Sequence, residues 1–253
     1  MQELNGQAAV VTGASRGIGL AAAQLLARSG VSVIMAARTT RETEAGAAGI
    51  RAAGGAAEAV ACDVARYQDV THAIEQCRQR FGRVDILVNN AGLIDPIARL
   101  GDSDPEAWGT VVDVNLKGVY HGLRAALPIM AEQGGGVVVN ISSGAATSAL
   151  EGWSHYCATK AAVLSLTRCV DLEYRAKGIR VVGLSPGTVA TGMQRSIKAS
   201  GINPVSRLDW EDHISPEWAA RAVAYLCTAA AADLAGTDFS LKSEEGRRRV
   251  GLV

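Results

Sequence analysis

Tyr156 and Lys160 stand four residues apart in a run with helical spacing, so the phenol and the ammonium share one face. A free tyrosine titrates at about 10, too high for easy proton exchange at neutral pH. An ammonium at ~4 Å, in an effective dielectric of ~20, favours the phenolate by about 4 kcal/mol, roughly three pKa units. The pair is therefore expected to tune Tyr156 into a general acid/base. The same spacing also occurs as an ordinary surface pair, so the surroundings must decide. Asn140-Ile141-Ser142-Ser143 ends an apolar run, and Ser143 precedes Tyr156 by 13 residues.

A second group of residues suits phosphate. Thr12-Gly13-Ala14-Ser15-Arg16-Gly17-Ile18-Gly19 joins an apolar run to a helical one. Glycines let the backbone turn tightly, and a helix N-terminus offers free N–H groups and partial positive charge to a pyrophosphate. The spacing is G-x-x-x-G-x-G, and no G-K-[ST] ending points to a nucleoside triphosphatase. The next apolar run ends Met35-Ala36-Ala37-Arg38. An NAD site would carry an acid there for the ribose 2′-hydroxyl; Ala37 and Arg38, with Arg16 nearby, suit a 2′-phosphate instead.

These residues need a frame, and the sequence supplies one. Strands are expected at Ala8–Thr12, Val31–Ala36, Ala57–Ala61, Val84–Asn89, Val137–Ile141, Ile179–Leu184 and Thr237–Lys242. Helices are expected at Leu20–Ser29, in the Ala-rich run before Gly54-Gly55, and at about Ala65–Phe81. Others cover Pro105 to about Gln133, with a break near Gly109, Tyr156–Lys177, and Pro216 to about Ala231. The run from Pro186 to Ser215 reads as a long loop with short helical pieces, a candidate substrate loop. The tail, residues 243–253, with Arg247-Arg248-Arg249, reads as a solvated charge run. Near-continuous apolar strands separated by helices imply a parallel sheet covered on both faces.

Composition excludes several classes. The 253 residues carry 25 Lys+Arg against 25 Asp+Glu, so no cationic face for nucleic acid is expected. Aromatics are 4%, too few for stacking platforms. No apolar stretch is long enough for a membrane span, and the N-terminus has no secretion-signal pattern. Cys62, Cys77, Cys157, Cys169 and Cys227 form no CxxC pair and read as reduced thiols of a cytoplasmic protein. His72, His121, His155 and His213 lack ligand spacing, so no metal is expected.

Taken together, the chain resembles the short-chain dehydrogenase/reductase family. The resemblance rests on Thr12–Gly19, Cys62-Asp63-Val64, Asn89-Asn90-Ala91-Gly92, Asn115, Ser143, Tyr156-x-x-x-Lys160 and Ser185-Pro186-Gly187, in family order over about residues 5–240. It implies one α/β domain over residues 1–253. The expected architecture is a Rossmann-type, doubly wound parallel sheet of about seven strands with helices on both faces. It also implies hydride transfer between NADP(H) and a carbonyl or secondary alcohol. Tyr156 would be the general acid/base, and Lys160 would lower its pKa and hold the nicotinamide ribose. Ser143, with Ser142 as the alternative, would orient the carbonyl, and Asn115 would hold a water in a proton relay. Cofactor contacts would come from Gly13, Ser15, Arg16, Gly17, Ile18, Gly19 and Arg38, from Asp63 and Val64, and from Asn90, Ala91 and Gly92. Tyr156, Lys160, Pro186, Gly187, Val189 and Thr191 would complete them, while Asn89 would be structural.

Leu93, Ile94, Ala145, Glu151, Trp153 and parts of Thr188–His213 would build the substrate pocket, and a small carbonyl or alcohol would be the partner. A dimer or tetramer is also implied, and within the family a 3-oxoacyl-carrier reductase is one candidate. Against these stand an NADP(H) sensor without turnover and a dehydratase or isomerase. The complete Asn115/Ser143/Tyr156/Lys160 set favours the reductase. One departure stands out: where many relatives have V-D-G-G after the last strand, the corresponding stretch here is Phe239-Ser240-Leu241-Lys242-Ser243-Glu244-Glu245-Gly246.

Overall fold

A computed structural model describes residues 2–253. Seven strands form one sheet: β1 (Ala8–Thr12), β2 (Ser32–Ala37), β3 (Ala57–Ala61), β4 (Ile86–Asn89), β5 (Gly136–Ile141), β6 (Ile179–Ser185) and β7 (Asp238–Ser240). Their order is β3-β2-β1-β4-β5-β6-β7, and every pairing is parallel. Parallel strands need long crossovers, and here helices supply most of them. These are α1 (Gly17–Arg28), α2 (Thr40–Ala52), α3 (Tyr67–Phe81), α4 (Pro105–Val112), α5 (Gly118–Glu132) and α6 (Ser154–Tyr174). Farther along come α7 (Gly192–Ser200), α8 (Pro216–Leu226) and α9 (Glu244–Arg249).

The sheet divides two apolar cores. Leu26, Ile50 and Val223, from α1, α2 and α8, meet Val11, Val33 and Leu184 on one face. Ile74, Leu123 and Val163, from α3, α5 and α6, meet Val10, Leu87 and Val181 on the other. Covering both faces explains why every residue of β1 is buried and why the strands read as unbroken apolar runs. The strand order reverses between β2 and β4, on either side of β1. A crevice at the carboxyl ends of the strands is the ligand site such sheets offer.

Three expectations need correction. The long helical run does not break at Gly109, which lies inside α4; the break is a π turn at Asp113–Lys117. The extra residue of that turn coincides with the buried amide of Asn115, which the next subsection takes up. The last helix stops at Leu226, and Ala229–Leu234 is a 3-10 run rather than its continuation. The tail is not a free charge run. Ser243 caps α9 by accepting from Gly246 N–H at 3.0 Å, Arg247 donates to the Leu241 carbonyl, and Arg249 grips Asp233 and the Tyr225 hydroxyl. Val250 then sits in the first core. The expected loop at 186–215 contains α7 and two 3-10 turns, and a two-residue bridge between Val189 and Ile214 ties its ends.

Candidate active site

The glycine loop after β1 is shaped by close approaches. Gly13 and Gly17 have φ of +63° and +57°, open to glycine at little cost. A Cβ on Gly19 would stand 2.4 Å from the Gly13 carbonyl oxygen and 2.5 Å from Asn90 Nδ2. Asn90 braces the loop, donating through Nδ2 to the carbonyls of Thr12 and Gly13, while Thr12 Oγ1 accepts from the N–H groups of Asn90 and Ala91. No side chain caps α1, so its first N–H groups face the crevice without a side-chain acceptor. Across the crevice, Thr191 Cγ2 lies 3.2 Å from the Cβ position of Gly17. A cradle that only glycine fits, at an uncapped helix start, suits a pyrophosphate.

Ala14 N–H donates to the Ala36 carbonyl, which ties the cradle to the end of β2, where Arg38 follows. Arg16 and Arg38 are both exposed, and neither forms an ion pair among the described residues. Asp63 lies beyond β3 and accepts from Ala65 N–H, and the Val64 carbonyl is bonded to His121 Nδ1. Ser15, Ile18, Ala91 and Gly92 lie in the loops and first turn bordering the same crevice. Pro186, Gly187 and Val189 do so from the loop after β6.

Tyr156 and Lys160 lie in the first turns of α6 and are 8% and 4% exposed. Lys160 Nζ donates to the Ile141 carbonyl at 2.7 Å and stands 5.5 Å from the Tyr156 ring centroid. The strand end of β5 therefore fixes the ammonium, leaving two of its three N–H groups for a ligand. Burial pushes the lysine down to about 8, and Asp238 opposes this. Burial pushes Tyr156 up to about 12, with a hydrogen bond to Ser143 acting the other way. The lowering expected from Lys160 is therefore not seen: burial of the phenol dominates, Ser143 opposes it, and the ammonium is engaged by the Ile141 carbonyl.

Ser143 and Ser142 have separate tasks. Ser143 Oγ accepts from Ala145 N–H, whereas Ser142 donates to Asp238 Oδ2 at 3.1 Å. Asn115 is fully buried: its Oδ1 accepts from Leu93 N–H at 2.8 Å, and its Nδ2 donates to the Leu93 carbonyl and to Thr159. Its side chain is therefore a strut between the loop after β4 and α6. Ile94, Ala145 and Trp153 gather with Tyr156 and Ile197 in an apolar cluster, with Trp153 edge-on to Tyr156 at 5.6 Å. Leu93 packs with the second core, and Glu151 pairs with Arg99 on the exposed side.

Sequence reasoning missed Asp238. It lies on β7 beside Ser142, held up to about 6 by burial while Ser142, Lys160 and Arg168 pull it down. Its Oδ1 is buried without a partner, and the bare Cα of Gly183 makes room for it, since a Cβ there would stand 2.6 Å away. An acid at the second position of the expected strand Thr237–Lys242 was the available signal. Also missed was a buried chain in which Asn89 donates to Asn140 and Asn140 to Thr167, joining β4, β5 and α6. Among the described residues no three His, Cys, Asp or Glu side chains gather as a metal cage, and no helix is long and apolar enough to cross a membrane.

A glycine cradle at the strand reversal, with a serine, tyrosine and lysine at the neighbouring strand end, defines a nucleotide-dependent oxidoreductase of the α/β class. The chain belongs to the short chain dehydrogenase family, whose profile matches residues 7–201. Members of this family act on alcohols and carbonyls with a nicotinamide cofactor. Over 246 residues it is 36% identical to a 3-oxoacyl-[acyl-carrier-protein] reductase of Synechocystis sp., covering 95% of this chain and 97% of the relative. It is also 36% identical over 234 residues to cis-4-hydroxycyclohexanecarboxylate dehydrogenase of Sinomonas cyclohexanicum, covering 90% and 92%. Among solved structures it is similar to NAD+-bound xylitol dehydrogenase, with a TM-score of 0.87, 25% identity and coverage of 94% and 98%.

Proposed function

We propose that this protein interconverts a ketone and a secondary alcohol using NADP(H), with Tyr156 as the proton donor and acceptor. The observation that carries the reading is the buried Tyr156 phenol, held beside Ser143 and the Lys160 ammonium that the carboxyl end of β5 fixes. The nicotinamide supplies or accepts the hydride when bound. Ser143 Oγ–H binds the carbonyl oxygen and steadies its developing charge. Tyr156 stays neutral at physiological pH and gives its proton to the nascent alkoxide, a far stronger base. The two free N–H groups of Lys160 hold a diol such as the ribose. The apolar cluster around Tyr156 keeps water away and favours a hydrophobic ketone.

Preference for NADP(H) rests on Ala37 in place of an acid and on Arg16 and Arg38 standing free for a 2′-phosphate. The alicyclic substrate named for the Sinomonas relative makes ring ketones a sensible first panel. We also assign self-association to the outer faces of the π turn, α5 and α6, where Leu116, Tyr120, Ala162, Leu166 and Cys169 line a mostly apolar groove. The test is NADPH oxidation followed by absorbance with ketones, for wild type and Tyr156→Phe. The variant is expected to keep cofactor affinity and lose turnover by on the order of 10²-fold or more. A variant that reduces ketones as fast as the wild type removes Tyr156 from the chemistry.

A further inference from the structure

Lys242 follows β7 within Phe239–Gly246, the stretch where many relatives have V-D-G-G, and nothing in the reaction above uses it. Its backbone is pinned beside the site. Leu241 is 1% exposed and donates to the Ser185 carbonyl at 3.1 Å, and Lys242 N–H donates to Ser240 Oγ at 3.2 Å. From there the side chain crosses two bare glycines. Its Cγ lies 3.4 Å from the Cβ position of Gly187, and its Nζ lies 3.1 Å from that of Gly144. Gly144 directly follows Ser143, and Gly187 belongs to the loop after β6. The ammonium therefore sits between the two loops that wall the catalytic turn, one residue from the serine that orients the carbonyl.

No side-chain or carbonyl oxygen engages this ammonium among the described residues. Glu244 pairs with Arg248, Asp233 with Arg249 and Glu151 with Arg99, and no acid, Glu245 included, forms an ion pair with Lys242 among the described residues. Lys242 is exposed, and Ala145, next to Gly144, belongs to the buried apolar cluster of Ile94, Trp153, Tyr156 and Ile197. An uncommitted cation at the edge of an apolar cluster that holds Tyr156 suits a ligand with an apolar body and an anionic end. We propose that Lys242 is the anion-recognising end of the substrate pocket, so that the preferred substrates are hydrophobic ketones or alcohols bearing a carboxylate. The inference rests on the carbonyl-reductase reading for its catalytic consequence but not for binding.

The test uses the full-length protein saturated with NADP+ and two probes of the same shape, cyclohexanecarboxylate and its uncharged methyl ester, with affinities measured calorimetrically. Turnover is measured with 4-oxocyclohexanecarboxylate and its methyl ester. Wild type is expected to favour each acid over its ester by about 10-fold, the low end for a charge-assisted contact near solvent. Lys242→Met should erase that preference without changing ester turnover, and Lys242→Arg should keep it. Equal affinity for acid and ester in the wild type, or a loss in Lys242→Met that falls equally on both, overturns the proposal. Acid-selective binding without turnover of any ketone leaves the subsite standing and refutes the reductase reading instead.

Discussion

Replacing Lys160 with methionine should make the fold more stable at neutral pH while destroying activity. The lysine is 4% exposed, and burial brings its pKa from 10.5 to about 8. At about 1.4 kcal/mol per pKa unit, carrying the charge costs the native state about 3 kcal/mol. Below pH 8 both folded and unfolded chains hold the proton, so the cost is full. Between 8 and 10.5 the native state releases it while the unfolded chain keeps it. The unfolded state then binds more protons, and wild-type stability rises with pH. Methionine fills a similar volume without charge but strands the Ile141 carbonyl, a loss of roughly 1–3 kcal/mol. The net gain at pH 7.5 is about 1 kcal/mol, or ~2–4 °C in Tm for a chain of this length. Urea unfolding of both proteins at pH 7.5 and pH 10 isolates the effect, because titrations of groups that Lys160 does not touch cancel in the difference, and Asp238 is ionised throughout most of that range. That difference should swing by about 2 kcal/mol towards the wild type at the higher pH. A difference that does not change with pH refutes the reasoning, since the lysine would then carry no burial cost.

The remaining predictions concern the cofactor and the charge beside the site. Arg38→Asp should lower the NADP/NAD ratio of kcat/KM by roughly 10–100-fold, the worth of a charge-assisted contact to a 2′-phosphate; an unchanged ratio rejects the assignment of Arg38. Gly19→Ala puts a Cβ within 2.4 Å of the Gly13 carbonyl, so cofactor titration should weaken at least tenfold in a chain that still folds, by an order-of-magnitude argument from disturbed phosphate contacts. Asp238→Asn removes the one charge that holds Lys160 up. The lysine should then lose its proton at lower pH, and the alkaline limb of kcat/KM should move down, with Asp238→Glu restoring it. A limb that stays in place while activity falls at every pH would give Asp238 a packing role only.

What the sequence made legible was what backbone spacing carries. Tyr156 and Lys160 share a face because four residues nearly complete a helical turn, and Gly13, Gly17 and Gly19 mark a loop that only glycine can make. Apolar runs of β-branched residues marked the strands for the same reason, since both sheet faces are covered. The direction of the Tyr156 shift was not legible, because it depends on how much water reaches the phenol and on which acceptor Lys160 already serves. Neither quantity is written in a spacing. The tail was misjudged for a related reason. Arg247-Arg248-Arg249 looks like any solvated run until Leu241, Glu244, Asp233 and Tyr225 are found within reach of the three guanidinium groups.

The edge of the sheet ties these misses together. β7 is only three residues long and pairs on one side alone, with β6. Its sequence is therefore freer of the ladder's demands than that of a central strand. On this edge Asp238 lies beside Ser142, and just past it Lys242 reaches over Gly144 and Gly187. An acid and a cation beside the catalytic turn come from one short segment, five residues from end to end. Substitutions there can retune the lysine and re-select the substrate while the glycine cradle and the Tyr156 turn, set by β1, α1 and α6, stay as they are. Exchanging residues 238–242 for the matching stretch of a V-D-G-G relative should accordingly change the pH profile and the acid preference together. It should leave cofactor affinity within about threefold, because no hydrogen bond or ion pair among the described residues joins the exchanged segment to the phosphate cradle. Loss of cofactor binding in that exchange would show that the edge strand shapes the cradle as well, and the separation argued between tuning and holding would fail.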